Sequence, residues 1–308
     1  MRTVSRLARP LPVRHFVLCS PMRRVTLDNI ACTYCATPLN DPGVIVTEDH
    51  VIGLKLVPKG TLSGQWNLVV QACKDCNQGK CKLEDDLSAI SMQPDAWNRP
   101  AVANALLVRE AARKAHRSIS QRTLKTVKNS SEELWLTFPF ASGVARFRME
   151  GPPQADPERI HRLAFLQTTA FFYWLTYDRG KRKGYYFPGQ FFYIDFAPRT
   201  NWGNPIMRAF MDTVIEWDLR LTTIAAHGFF KASIRRHRTA PCWSSAIEWN
   251  QNFRIVSLFG EEEVVKSVAL TFPERVVSVA PYGTNQYVRY WRETRLADGD
   301  DKLFSFSD

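Results

Sequence analysis

In the first third of the chain, apolar and polar positions follow the patterns of two strands and a helix in succession. Val44–Ile52 is rich in β-branched residues and comes after a Pro-Gly turn. After a polar, glycine-containing loop, Trp66–Gln71 has the composition of a second strand. The apolar residues that follow recur at helical spacing, at Leu83, Leu87 and Ile90. This region is therefore predicted to fold as strand, loop, strand and helix.

The second half of the chain has short strand-like segments around aromatic-rich helical segments. Ile160–Tyr177 predicts a helix that opens with an Asp156-Pro157 pair, and Pro205–Val214 predicts a shorter one. Strands are predicted at Leu134–Phe140, Ala145–Met149, Tyr185–Phe187, Phe191–Phe196, Gly228–Arg235, Ser245–Trp249, Phe253–Phe259 and Val276–Val279. We interpret 129–308 as one α+β domain whose aromatic residues form its core, and we expect the polar tail from Ala297 to fray.

Composition and charge narrow the class of protein. The 308 residues are 45% apolar and 23% charged, which is typical of soluble globular proteins and is enough for one small and one larger domain. The net charge of +11 favours a polyanionic partner, of which nucleic acid is the commonest. No apolar run reaches the length of about eighteen residues that a membrane helix needs.

Two basic segments flank the predicted strands and helix. Residues 1–25 are rich in arginine and proline, so we expect a disordered basic arm, with Met22 as an alternative start. Residues 101–128 are rich in alanine and predict a basic linker helix that carries Arg109, Arg113, Lys114, Arg117, Arg122, Lys125 and Lys128. Such a helix could lie along phosphates, or it could be a solvated connection between domains.

The cysteine spacing is typical of a metal site. Cys32-Thr-Tyr-Cys35 and Cys73-Lys-Asp-Cys76 are two CxxC pairs, which together can supply four thiolates to one tetrahedral zinc ion. Cys81 lies close enough in sequence to compete as a ligand. An odd total of seven cysteines with this spacing fits a reducing compartment, so a cytoplasmic location is expected.

Three polar features accompany the two pairs. Asp49-His50 and Asn67 lie between them, and Asn77 directly follows the last cysteine. This order resembles the HNH endonuclease family, the zinc-containing branch of the ββα-metal (His-Me finger) nucleases. The resemblance covers about Thr26 to Ala89, and we place the module at 26–92. It implies an α+β protein with a small ββα-metal zinc-bound module, followed by the basic linker and the larger domain.

The resemblance also implies a chemistry, the metal-dependent hydrolysis of DNA. His50 would be the general base, Asp49 and Asn77 would hold a catalytic Mg²⁺ or Mn²⁺ ion, and Asn67 would hold the loop that orients His50. The structural zinc ligands would be Cys32, Cys35, Cys73 and Cys76. The family often has proline soon after the Asp-His pair, where this chain has Val-Ile-Gly.

Basic residues near the module are the expected contacts with nucleic acid. They are Lys80, one helical turn after Asn77, and Arg109, Arg113 and Arg117 in the linker. The alternative is a zinc-stabilised DNA-binding protein without cleavage activity, and RNA is an open alternative to DNA. Nuclease modules of this kind suggest a bacterial or phage-type context, in which the role of 129–308 and the oligomeric state stay open.

Overall fold

A computed structural model describes residues 17–18, 24–95, 98–140, 143–187, 189–274, 278–281, 287–290 and 293–304, with backbone alone at 17–18, 132–140, 146, 149, 278–281 and 287–290. The predicted basic arm, 1–25, lies outside the described residues except at 17–18 and 24–25. Over the described residues, no helix is long and apolar enough to cross a membrane.

The described residues form a mixed α+β protein. Its strands are β1 (Val17–Leu18), β2 (Val25–Thr26), β3 (Val46–His50), β4 (Leu68–Cys73), β5 (Glu132–Phe140), β6 (Gly143–Gly151), β7 (Gln190–Pro198), β8 (Asp218–Ala225), β9 (Phe230–Arg236), β10 (Cys242–Trp249), β11 (Phe253–Gly260), β12 (Ser278–Pro281) and β13 (Tyr287–Tyr290). Its α-helices are α1 (Lys74–Ser91), α2 (Ala105–Ala115), α3 (Pro157–Leu175), α4 (Pro205–Val214) and α5 (Glu262–Ala269). The predicted α+β class is confirmed.

Among the described residues, the strands form two larger sheets and two hairpins. The first sheet has the order β2-β4-β3, with β3 antiparallel to β4 and helix α1 continuing directly from β4. The second has the order β1-β8-β9-β10-β11-β7 and is antiparallel except at its β1–β8 edge. The pairs β5–β6 and β12–β13 are antiparallel hairpins. The predicted order of strand, loop, strand and helix is therefore present.

Helix α3 packs between the two larger sheets. Its Phe171 contacts the ring of Phe230 in the six-stranded sheet and stacks at 6.3 Å on Trp66, which comes from the loop before β4. Trp174 also contacts Trp66, with ring centroids 5.5 Å apart. The expectation that this aromatic run forms core is confirmed, since Phe171 and Tyr173 are fully buried.

A second core covers the opposite face of the six-stranded sheet. It joins α4 and α5 to the end of the described chain, where Leu303 and Phe304 are 3% and 6% exposed. Asp301 pairs with the buried guanidinium of Arg254. The prediction of a frayed tail from Ala297 is therefore wrong for the described part of it, because apolar contacts and an ion pair fix this segment.

The predicted basic linker helix is too long. Helix α2 begins after Asn104, whose side chain accepts hydrogen bonds from the amides of Leu106 and Leu107, and it ends at Ala115. Beyond it the chain turns, and the main-chain amide of Gln121 binds the carboxylate of Asp86 in α1. The prediction overlooked that serine and threonine, frequent after Ala115, compete with the helix for backbone hydrogen bonds.

One further predicted strand is absent. No strand forms at Tyr185–Phe187, where the hydroxyl of Tyr186 instead donates a hydrogen bond to the carbonyl of Cys32. Strand β8 and helix α5 were not predicted. The predicted strand Val276–Val279 lies partly outside the described residues, and its described part, Ser278 and Val279, belongs to β12.

Candidate functional site

The four CxxC cysteines come together at the start of helix α1. Their Sγ atoms all lie within 4.8 Å of one another, and the Cys35 and Cys73 sulfurs are 3.8 Å apart. Four zinc–sulfur bonds of about 2.3 Å in a tetrahedron place sulfurs about 3.8 Å from each other. The cluster can therefore bind a metal such as zinc, with Cys73 and Cys76 at the first turn of α1 and Cys32 and Cys35 in the turn that faces it.

The pKa values of three cluster thiols are shifted, and not all in the same direction. Burial raises the pKa of Cys32 to about 11 and raises that of Cys76 as well. Burial also acts on Cys35, but hydrogen bonds from Thr37 and from neighbouring thiols lower its pKa to about 7. Because a thiol binds zinc as the thiolate, zinc binding has to displace the protons that burial retains on Cys32 and Cys76.

Cys81 does not belong to this cluster. Its thiol donates a hydrogen bond to the Asn77 side-chain oxygen at 3.6 Å, and it is exposed. The spacing argument that favoured Cys73 and Cys76 over Cys81 agrees with this arrangement.

His50 is the last residue of β3 and is partly buried. Burial lowers its pKa below the ordinary value, and the cation of Arg24 lowers it further, whereas Asp49 opposes the shift. The imidazole is therefore neutral at pH 7 and able to accept a proton. Arg24 lies beside it in an ion pair with Glu48, which is two residues before His50 and so on the same face of the strand.

Asn67 holds the chain immediately after His50. Its Oδ1 accepts a hydrogen bond from the amide of Ile52 at 3.2 Å, and its Nδ2 donates one to the carbonyl of Ile52 at 2.8 Å. Asn67 is 5% exposed, so both bonds are protected from water. This contact agrees with the supporting role that the resemblance implies for Asn67.

Asp49 points the other way, into the interior. Its Oδ1 accepts a hydrogen bond from the ammonium of Lys80 at 3.1 Å, and its Oδ2 accepts one from the hydroxyl of Tyr34. Strand alternation accounts for this, since neighbours in β3 face opposite sides of the sheet. Both oxygens are therefore occupied by buried donors, which was not expected for a ligand of a catalytic ion.

Lys80 is fully buried, so the expectation that it contacts a DNA phosphate is wrong in this arrangement. Its ammonium also pairs with Glu84 at 2.8 Å and donates to the carbonyl of His50 at 2.8 Å. Burial alone would lower the pKa of Lys80, but the charges of Glu84 and Asp49 outweigh it and raise the pKa. The side chain is therefore an ammonium ion at neutral pH.

Gly53 makes room for this buried cluster. A Cβ atom at Gly53 would lie 2.0 Å from the Glu84 carboxylate, which excludes any larger residue without a shift of Glu84. Gly53, in the segment directly after the Asp-His pair, thus accommodates a buried carboxylate.

Asn77 lies at the edge of β3 and binds other groups than Asp49 does. Its Nδ2 donates to the Thr47 hydroxyl at 3.0 Å and to the Glu48 carbonyl at 3.1 Å. Asp49 and Asn77 share no hydrogen-bond partner among the described residues. A divalent ion held by this pair does not fit the arrangement described here, because the Asp49 oxygens are already bound.

The three linker arginines that were predicted to contact nucleic acid have different surroundings. Arg109 and Arg117 are exposed on α2 and just after it, whereas Arg113 is bound to Glu110, with a closest approach of 2.7 Å. Lys114 is buried, donating to the carbonyl of Lys55 and to the Ser88 hydroxyl at 2.6 Å. Of these three arginines, Arg109 and Arg117 are the more exposed to an external phosphate.

Sequence reasoning missed Tyr34 and Glu84 as parts of the site. Glu84 lies four residues after Lys80, and that helical spacing is typical of an ion pair. Tyr34 lies inside the first CxxC pair, where nothing in the spacing indicates a contact with Asp49.

Comparison of the chain with protein-family models, with curated proteins and with solved structures found no match.

Proposed function

We propose that this protein is an endonuclease that hydrolyses phosphodiester bonds in DNA, with His50 as the general base and a structural zinc ion in the four-cysteine cluster. The observation that carries the proposal is the setting of His50. It ends an edge strand with a neutral, partly exposed imidazole, and Lys80 and Asn67 hold the main chain at His50 and at Ile52. A general base needs both a fixed direction and a pKa near or below neutrality.

The proposed step uses groups that this chain supplies. The imidazole of His50 accepts a proton from water, the water oxygen bonds to phosphorus, and the bond to the 3′ oxygen breaks with its electron pair on that oxygen. No step is assigned to a divalent ion at Asp49 and Asn77, because Asp49 is bound by Tyr34 and Lys80. A requirement for Mg²⁺ or Mn²⁺ stays a prediction from the resemblance.

Charge supports nucleic acid as the partner. The chain carries a net charge of +11, and Arg109 and Arg117 are exposed beside the module. Such cations attract phosphates whatever the base sequence, which gives affinity without specificity.

The buried state of Asp49 favours a second candidate, a zinc-stabilised DNA-binding protein without cleavage. If Asp49 is permanently neutralised by Lys80, the module keeps its shape but has no carboxylate for a catalytic ion. The four-cysteine cluster would then serve binding alone.

Cleavage of plasmid DNA distinguishes the two. Zinc-loaded wild type is compared with His50→Ala, and with His116→Ala as a matched control at an exposed histidine, each with and without Mg²⁺ or Mn²⁺. We expect His50→Ala to cut at least about 100-fold more slowly with unchanged DNA affinity, since a general base contributes about that much. Undiminished cutting by His50→Ala would refute the assignment, and DNA binding without cutting by wild type would establish the second candidate.

A further inference from the structure

The ammonium of Lys80 binds Asp49, the residue that the sequence predicts as a ligand of a divalent cation. Three oxygens surround it: Asp49 Oδ1 at 3.1 Å, Glu84 Oε1 at 2.8 Å and the carbonyl of His50 at 2.8 Å. The Lys80 side chain is inaccessible to solvent, and those of Asp49 and Glu84 are 5% and 6% exposed. These oxygens form a buried binding site for one cation, and the ammonium of Lys80 is that cation.

Buried charges of this kind are costly unless they are paired. Two carboxylates face one ammonium, and the hydroxyl of Tyr34 donates to the remaining oxygen of Asp49. Removal of Lys80 would leave both carboxylates buried without their cation, which is strongly unfavourable. The cluster therefore holds Lys80 in place, and through it the carbonyl of His50.

The contact with the His50 carbonyl links the cluster to the proposed reaction. Lys80 binds the His50 carbonyl, and Asn67 binds both backbone groups of Ile52 two residues later. The main chain that carries the imidazole is thus fixed by Lys80 from helix α1 and by Asn67 from the loop before β4. A displacement of about 1 Å at a reacting group can cost about 100-fold in rate.

We propose that Lys80 is the internal cation of this site and a positioning residue for His50, so that Asp49 belongs to the scaffold of the site and binds no divalent ion. The inference rests on the proposed function for its catalytic consequence. Its structural part is independent of that function, because it concerns only the carbonyl of His50 and the carboxylate of Asp49.

A single NMR signal reports on this contact. His50-Val51 is the only His-Val pair in the chain, so labelling with ¹³C-carbonyl histidine and ¹⁵N-valine gives one carbonyl–amide cross peak. In Lys80→Ala we expect this peak to move, because the hydrogen bond to the carbonyl is lost. Propylammonium, which replaces the deleted atoms, should bring the peak back toward its wild-type position, whereas 1-propanol should not. A peak that stays in place in Lys80→Ala would overturn the proposal.

Manganese tests whether Asp49 binds a divalent ion. This experiment uses the wild-type protein, in which Lys80 is intact and folding is not in question. If Asp49 is bound by Lys80, paramagnetic Mn²⁺ should broaden the His50–Val51 peak equally in wild type and in Asp49→Asn. Broadening that Asp49→Asn abolishes would place a divalent ion at Asp49 and refute the proposal.

Cleavage then separates this inference from the proposed function. We expect Lys80→Ala to lose about 100-fold in rate with DNA affinity unchanged, and to regain rate with propylammonium. A loss of DNA affinity with an unchanged rate would instead make Lys80 a phosphate contact and refute its positioning role. If wild type does not cleave while the cross peak responds as stated, the endonuclease proposal fails and the structural role of Lys80 stands.

Discussion

At the scale of single residues, buried polar side chains differ in how fully they are paired. Asn67 is well paired, since its amide binds both backbone groups of Ile52. Lys114 is a less balanced case. Its ammonium is buried against a carbonyl and the Ser88 hydroxyl, and the charged side chains around it include the like-charged Arg113.

Lys114 predicts a pH dependence of stability. Burial, together with the charge of Arg113, lowers its pKa from 10.5 to about 8 in the folded protein. Between these two values the unfolded chain binds the proton more tightly, so the free energy of unfolding rises as pH increases through this window. The full effect is on the order of 3 kcal/mol.

Urea unfolding at a pH of about 7 and of about 10 measures this effect. Wild type should gain stability relative to Lys114→Met across this range, because only wild type has an ammonium to discharge inside the protein. Lys125→Met, at an exposed lysine of the same segment, should follow wild type. A rise in stability that is equal in wild type and Lys114→Met would contradict the prediction.

At the scale of elements, the four-cysteine cluster lies where α1 follows the β3–β4 hairpin. Cys73 occupies the N-cap position of α1 without a side-chain cap, and Cys76 lies in the first turn. The thiols of Cys32 and Cys35 reach this helix end from a separate turn. A bound zinc ion would therefore join two segments, the turn and the start of α1, where the helix has no side-chain cap of its own.

Zinc content and helix stability should fall together when a cluster thiol is removed. We expect one zinc ion per chain in wild type and in Cys81→Ser, and its loss in Cys35→Ser. Zinc binding contributes on the order of 10 kcal/mol in small zinc domains, so Cys35→Ser should also melt α1 at lower temperature. Metal analysis and circular dichroism of the three proteins provide the check. Loss of zinc from Cys81→Ser with full retention in Cys35→Ser would reverse the ligand assignment.

The elements that sequence reasoning predicted best are those with a local signal. The strands of the β10–β11 hairpin were predicted on either side of Asn250-Gln-Asn252, and Asn250 and Gln251 both adopt the positive φ that such a turn requires. Strand β8 escaped prediction because a register shift between Leu219 and Leu221 interrupts the alternation of apolar and polar positions.

The candidate site was predictable to a similar extent. The four thiols were predictable because two CxxC pairs are the usual spacing of the ligands of a tetrahedral zinc ion. The burial of Asp49 was not predictable from the motif, since it depends on Lys80 and Tyr34 arriving from two other segments. Sequence spacing reports which groups are near along the chain, whereas burial depends on how the segments pack.

At the scale of the whole molecule, the module and the six-stranded sheet share one hydrophobic core. This core includes Val51 and Trp66 from the module, Phe171 from α3, and Phe230 and Trp249 from the sheet. The predicted module, 26–92, and the six-stranded sheet are therefore separate in sequence but pack together in space.

Polar contacts cross the same boundary. The side chain of Asn250 in the β10–β11 turn donates to the carbonyl of Leu56 at 3.0 Å and to the hydroxyl of Ser91 at 2.7 Å. The adjacent Asn252 donates to the carbonyl of Ser91 at 3.0 Å. These buried bonds tie the end of α1 and the loop after His50 to the six-stranded sheet.

Unfolding of the whole protein should therefore be coupled to release of the metal. Phe171 is fully buried between Trp66 and Phe230, so Phe171→Ala removes contacts on both sides of the shared core and should cost about 3–5 kcal/mol. In urea, tryptophan fluorescence and zinc release should give coincident transitions in wild type, and both should move to lower urea together in Phe171→Ala. Phe147→Ala, at a phenylalanine 53% exposed on the β5–β6 hairpin, should leave both transitions close to those of wild type. If Phe171→Ala shifted the fluorescence transition alone and zinc release stayed in place, the module would be a separate folding unit, and the shared core would contribute little to its stability.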